Sequence, residues 1–325
     1  MKNFWDVHTL TGKAKTAFLD QGSKIILVGG SGWIGLSTLD LLHRFLPDFS
    51  SRVFCFGSSK KTLCLANGVQ IKQDPIEDIE FLPKDNSYIL LNFSFLTNER
   101  LSTENKTEYI STNRLISETL FLQAFKKKIK KVVTISSGAV YDNKGDIFDN
   151  LDENTYGALK YEEELKFSKL ADEGALVVIP RVFNISGPYV SKIHLYMFSS
   201  LIDQALRGDT LKIHSSNKVI RSFISISELM SVIFSLFSSP PVSEIKIFDT
   251  AGKENFEISD LAKKIIDRIN PKAKIDRPLV DLNFPEDVYV GKRNDYLSLV
   301  ELTDVNEVSI DDQILCVSSY LKSIK

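Results

Sequence analysis

Short apolar runs alternate along this chain with longer stretches in which apolar residues recur at helical spacing. The first run, Ile25 to Val28, leads into Leu39, Leu42 and Leu46 one or two turns apart, and Pro47 stops that pattern. Further runs at 53–56, 69–71, 88–95, 131–136 and 176–179 predict five more strands, with helices over 104–125 and 156–171. In the first of these helices Ile110, Leu115 and Leu122 suggest a broad apolar face. The 88–95 run is almost wholly apolar, as expected of a strand covered on both faces. Strands alternating with helices predict an α/β fold: a doubly wound parallel Rossmann sheet with a smaller mixed α/β C-terminal portion.

After Arg181 the rhythm loosens. Helical patterns occupy 194–207, 227–238, 259–269 and 309–322, the last opening on Ser309-Ile310-Asp311-Asp312, which resembles a capping box. Strands fit 211–213 and 245–248, and Pro240-Pro241 predicts a turn. The expected organisation is an N-terminal arm over 1–22, with a helix-compatible run at 13–19. A dinucleotide-binding domain follows over 23–182, joined by 219–252, and 183–325 mainly bind substrate.

Composition narrows the function. A chain of 325 residues with net charge −2 offers no electrostatic reason for nucleic acid or an acidic membrane as partner. The run of Lys126, Lys127, Lys128, Lys130 and Lys131 follows a helix and reads as its solvated end. Three cysteines, Cys55, Cys64 and Cys316, lack metal-ligand spacing, and four scattered histidines make a metal site improbable. No stretch has the length and apolarity of a membrane span or a signal-peptide core, so cytoplasmic residence is expected.

The candidate chemistry starts at Gly29-Gly30-Ser31-Gly32-Trp33-Ile34-Gly35, between the first strand and its helix. Gly29 permits the tight turn, Gly32 lets backbone approach a pyrophosphate, and Gly35 lets helix pack on strand. Amides at the helix start, Trp33 and Ile34 included, attract phosphate. Tyr156 and Lys160 stand four apart and share a helix face, while Ser136-Ser137 ends the fifth strand at the carboxyl edge where such sheets bind ligands. A phenol is a poor base near neutrality, and a neighbouring ammonium favours its ionised form. Ser136 reads as a strand-end hydroxyl that satisfies backbone.

With these motifs in this order, the sequence resembles an extended short-chain dehydrogenase/reductase of the NAD-dependent epimerase/dehydratase group acting on nucleotide sugars. The resemblance covers about residues 24–255 and implies Tyr156 as acid/base, Lys160 on the nicotinamide ribose and Ser137 on the substrate oxygen. It further implies Asn113 as the helix asparagine that positions water and Asp74 as the acid that meets adenine. Pro180-Arg181-Val182-Phe183-Asn184-Ile185-Ser186-Gly187-Pro188 resembles the segment whose asparagine approaches the diphosphate, here Asn184. Arg221-Ser222-Phe223-Ile224 resembles the segment whose arginine binds phosphate, here Arg221, with Ser222 in place of the usual carboxylate. Residues 281–295, including Lys292 and Arg293, are expected to help bind the nucleotide.

Three departures refine these expectations. About 20 residues after the glycine turn an acid usually holds the ribose of NAD. Ser58, Ser59 and Lys60 stand there instead and suit a 2′-phosphate, which predicts NADP(H) in preference to NAD(H). Gly138-Ala139 replaces the dehydratases' Asp-Glu, so water elimination ranks low. Asn92-Phe93-Ser94-Phe95 replaces the family's His-Leu-Ala-Ala and reshapes the sugar pocket. The first two favour an NADPH-dependent reductase of a nucleotide-linked keto-(deoxy)sugar over a nucleotide-sugar epimerase with tightly held cofactor, and the complete set of Ser137, Tyr156 and Lys160 argues against a non-catalytic NADP-sensing regulator. A homodimer is compatible with this reading.

Overall fold

A computed structural model describes residues 3–14, 22–84, 87–238, 243–281 and 283–324. Its central sheet is built from β1 (Lys24–Val28), β2 (Val53–Gly57), β3 (Lys61–Cys64), β4 (Gln70–Pro75), β5 (Tyr88–Asn92), β6 (Lys131–Thr134), β7 (Ser136–Ser137) and β8 (Leu176–Val182). Two short pairs, β9 (Ile185–Ser186) with β12 (Ile224–Ser225) and β10 (Leu211–Lys212) with β15 (Ile275–Asp276), lie outside it. Another three-stranded sheet joins β11 (Val219–Ser222), β14 (Asn255–Glu257) and β16 (Asp287–Tyr289), whereas β13 (Glu244–Asp249) returns to the central sheet.

The order in that sheet is β13-β8-β6-β5-β1-β2-β4-β3, with β7 beside β8, and every pairing is parallel except β3 with β4. β1 therefore sits where the chain turns from building one way to building the other, with β2 on one side and β5 on the other. In open α/β sheets that switch point opens the crevice that binds ligands. Alternation along the strands explains the two cores. Ile25, Leu27, Ile89 and Leu91 face one cluster, and Ile26, Val28 and Leu90 face the other.

The helices are α1 (Phe4–Val7), α2 (Trp33–Phe45), α3 (Phe49–Arg52), α4 (Lys106–Lys126), α5 (Thr155–Ser168), α6 (Met197–Arg207), α7 (Ile226–Leu236), α8 (Ile258–Ile269), α9 (Arg293–Thr303) and α10 (Ile310–Ser323). The capping expected at Ser309 is present: its hydroxyl accepts from the Asp312 amide at 3.1 Å.

Several expectations need correction. Lys61–Cys64 forms an edge strand that its mixed pattern hid; only Leu63 of its four residues is buried. The helix α9 and the β11-β14-β16 sheet had no clear periodic signal. In α4 the buried stripe is Tyr109, Asn113, Ser117, Leu120 and Ala124, while Leu115 and Leu122 are exposed. The apolar residues marked the wrong face because the inward one carries polar groups, of which Asn113 is held by the Leu96 amide from another segment. The lysine run is not uniformly solvated, since buried Lys127 donates to the Leu82 carbonyl at 2.8 Å and buried Lys131 to that of Phe237 at 2.6 Å.

Residues 3–14, within the expected N-terminal arm, pack on the body of the chain. Phe4, His8 and Leu10 are buried, α1 packs on α10, and the His8 ring bonds the Ser37 carbonyl at 3.0 Å. Of the expected 13–19 helix only its first two residues are described, and the Pro240-Pro241 turn lies outside the described residues.

Candidate functional site

The glycine turn occupies the switch point directly. Gly29 has φ +86°, a conformation glycine adopts without strain, and a Cβ there would meet the Phe93 backbone at 2.7 Å. A Cβ on Gly35 would lie 2.2 Å from the Gly29 carbonyl oxygen, so the close approach of α2 to the turn requires glycine. No side chain caps α2, whose first residues are Trp33 and Ile34. The amides of such an uncapped helix start have no partner within the helix, and a helix start attracts phosphate. The Trp33 indole and the Ser37 hydroxyl both donate to the Pro188 carbonyl at 2.8 Å, which fastens the Gly187-Pro188 segment to this helix.

At the end of β2, Ser58, Ser59 and Lys60 are exposed in the loop toward β3. Gln73 on β4 donates to the Ser59 carbonyl at 2.9 Å and orders this loop. Asp74, opposite Phe56 in the sheet, pairs with Lys72 at 2.8 Å.

The other end of the crevice is dense with side chains. α5 presents Tyr156 and Lys160, and β7 presents Ser137, whose hydroxyl accepts from the Ala139 amide at 3.1 Å. Tyr156 is half-buried, with its phenol deep in the site and facing Ser137. Burial is the first cause that pushes this phenol above its ordinary range; the Ser137 hydrogen bond pulls it back, and Tyr289, Tyr109 and Glu163 push it further up. Burial raises the phenol of Tyr289 on β16 too, and Ser137 pulls it back.

The Lys160 ammonium is fully engaged. It donates to the Ile135 carbonyl at 2.8 Å and to Glu163 at 2.9 Å, and stands 3.7 Å from the centroid of the Phe95 ring. Phe95 also meets the Tyr156 ring edge to face at 5.8 Å. The second Glu163 oxygen accepts from Asn92 at 3.0 Å. The neighbouring Glu164 binds Arg181 at 2.6 Å and Ser136, so Ser136 serves this ion pair, where a backbone contact was expected.

The remaining expected residues have protein partners. Asn113 accepts from the Leu96 amide at 2.8 Å and so fixes the loop that carries Phe95. Asn184 donates to the Tyr289 carbonyl at 3.1 Å. Arg221 faces Tyr289 across the β11-β16 ladder and binds Asp287 at 2.8 Å. Ser222 accepts from the Gly252 amide at 3.2 Å. Lys292 lies 5.3 Å from the Tyr141 ring centroid, and Arg293 pairs with Glu307 at 2.6 Å.

Sequence reasoning missed Glu163 and Tyr289. A signal existed for the first: two adjacent carboxylates on the inward face of α5 require two cations, and Lys160 and Arg181 supply them. For Tyr289 only tertiary pairing brings β16 beside β11.

Among the described residues no group of His, Cys, Asp and Glu could hold a metal ion, and no helix is long and apolar enough to cross a membrane. The chain is 26% identical over 271 residues to the UDP-N-acetyl-alpha-D-glucosaminuronate decarboxylase of Bacillus cytotoxicus, covering 78% of this chain and 82% of that protein. It is 29% identical to UDP-glucuronic acid decarboxylase 5 of Arabidopsis thaliana over 113 residues, 35% of this chain and 32% of the relative. Its fold superposes on a UDP-N-acetylglucosamine 4-epimerase from Methanobrevibacter ruminantium with TM-score 0.72 and 19% identity, over 94% of this chain and all of the other. A UDP-glucuronic acid 4-epimerase from Bacillus cereus, solved with NAD, gives TM-score 0.69 at 17% identity, over 93% and 97%. Residues 25–245, from β1 into β13, match the NAD dependent epimerase/dehydratase family, and the chain belongs to that family.

Proposed function

We propose that this chain reduces a nucleotide-linked ketosugar, with Tyr156 donating the proton. The observation that carries the reading is the meeting of Ser137, Tyr156 and Lys160 at the sheet edge, beyond a glycine cradle that a Cβ at Gly29 or Gly35 would fill. The cradle fits a dinucleotide: the amides of Trp33 and Ile34 would hold its pyrophosphate, and Lys160 would face its nicotinamide ribose. Bound there, a nicotinamide supplies hydride. Ser137 hydrogen-bonds the carbonyl oxygen and Tyr156 passes its proton to that oxygen as negative charge develops. Asn184 and Arg221 stand by Tyr289 and Asp287, where a diphosphate would meet a guanidinium suited to it. Exposed Ser58, Ser59 and Lys60 favour the 2′-phosphate of NADP(H) over NAD(H).

The test follows nicotinamide absorbance against a panel of nucleotide-linked ketosugars. Net NADPH oxidation supports the reading, and sugar product without net oxidation overturns it. That second outcome selects an internal redox cycle, as in an epimerase or decarboxylase. The similarity to a UDP-sugar-acid decarboxylase over 78% of the chain favours this alternative. In such a cycle Tyr156 would take the proton in one half and return it in the other. A cytoplasmic nucleotide-sugar enzyme acting as a homodimer remains the proposed setting.

A further inference from the structure

Glu163 has no counterpart in the chemistry outlined so far, yet it is 2% exposed and touches the centre of it. One oxygen holds the Lys160 ammonium at 2.9 Å, and the other accepts from Asn92, which is itself fixed by Thr134 at 3.0 Å. Burying a carboxylate beside an ammonium is costly unless each satisfies the other, and here both do. The pair has a consequence for Tyr156. An ammonium alone would favour the phenolate, whereas a neutral ion pair does so far less.

We propose that Glu163 is a positioning residue that cancels the charge of Lys160 and so keeps Tyr156 a protonated phenol, biasing the site toward proton donation. This inference rests on the reading of Tyr156 as the proton-moving group. In the reduction a bound reduced nicotinamide would supply the hydride that the carbonyl carbon takes up. The Tyr156 O–H bond then breaks, its proton bonds the sugar oxygen, and the electron pair stays on the phenolate until water reprotonates it. A small cavity lined by Glu163, Asn113, Phe95 and Ser117 adjoins the pair. The Ser117 hydroxyl in it is buried without a hydrogen-bond partner, the kind of group that a bound water satisfies.

The groups that face the phenol divide by kind: charged and titratable ones against the serine hydroxyl. Tyr109 from α4, Tyr289 from β16 and Glu163 from α5 all disfavour the phenolate, and Ser137 from β7 favours it. Arg221 and Asp249 act on Tyr289 with opposite signs. Around Glu163 itself stand Lys160, Arg114, Glu162 and Lys166, of which Arg114 and Glu162 pair at 2.6 Å and Lys166 pairs with Glu118 at 2.6 Å.

The experiment is an ultraviolet difference titration of the phenolate in wild type and Glu163→Gln, each with and without Tyr156→Phe, so that subtraction isolates Tyr156. With the carboxylate gone Lys160 keeps its charge unopposed, and Tyr156 should ionise at lower pH by about one unit or more, a tenfold change in its proton affinity. Lys160→Met gives the converse and keeps the idea testable if the first variant fails to fold: an unpaired carboxylate should move Tyr156 ionisation upward. No shift, or a shift of the opposite sign, overturns the proposal. The titration uses no substrate, so it stands even if every ketosugar fails. Where turnover is found, reduction is lost as pH rises through the Tyr156 ionisation, and Glu163→Gln should move that limb to lower pH.

Discussion

The two ends of the crevice are built by opposite means. At the β1 end the proposed binding surface is backbone, close-packed because Gly29 and Gly35 carry no side chains. At the β7 end the surface is side chain, with Ser137, Tyr156, Tyr289, Lys160, Glu163 and Phe95 bonded or packed to one another. The first can receive a ligand without rearranging. At the second, Lys160 already has a carbonyl, a carboxylate and a ring face as partners, so a ligand must compete with them. A cradle made of missing atoms is rigid and indifferent to detail; a cluster of polar groups is specific and tunable.

The sharpest way to break this contrast is Tyr156→Phe. If the β7 end carries the chemistry and the β1 end the binding, turnover should fall by about a thousandfold while cofactor affinity changes little. Stopped turnover and fluorescence titration measure the two separately, and equal losses in both would erase the distinction.

The next effect bears on how the N-terminal segment supports the cradle helix. His8 is buried against α2, beside Asp40 at 3.8 Å, and burial lowers its pKa to about 4. Because the folded value lies below the unfolded one near 6.5, this contribution is present above pH 6.5 and is lost as pH falls toward 4. The full loss is about 3 kcal/mol. Thermal melts between pH 7 and 4 should show it, and His8→Gln should flatten the dependence.

Gly35→Ala tests the cradle directly. The added methyl would push α2 off the Gly29 carbonyl, costing about 1–3 kcal/mol and weakening dinucleotide binding. A substitution that leaves both melting temperature and affinity intact would show that the turn yields more easily than its geometry implies.

The smallest effect is Lys60→Glu at the exposed β2 loop. It should lower the preference for NADP over NAD by about tenfold, or roughly 1.4 kcal/mol, in a thermal-shift titration. An unchanged ratio would make Lys60 a solvated residue.

Much of the frame was legible because it follows from local patterns. The apolar run at β1, the glycines after it and the spacing of Leu39 and Leu42 mark a strand, a turn and a helix wherever they occur. Polar residues that face inward were harder. In α4 the exposed Leu115 and Leu122 outweighed Asn113 and Ser117 in the pattern, although the latter are buried. Their burial depends on partners from distant segments, such as the Leu96 amide, and no local pattern reports those.

The sequence by itself determined the family, the parallel sheet, the glycine turn before the first long helix and the pairing of Tyr156 with Lys160 on one helix face. Each of these is a matter of residues a few positions apart. Only the tertiary structure decided that Glu163 and Phe95 close around Lys160, that Tyr289 joins Tyr156 at Ser137, and that Phe4, His8, Leu10 and Ala14 of the chain start are buried. Those contacts join the loop after β5, β7, α5, β16 and the chain start, and charge neutralisation or burial across such distances exists only once the chain has folded.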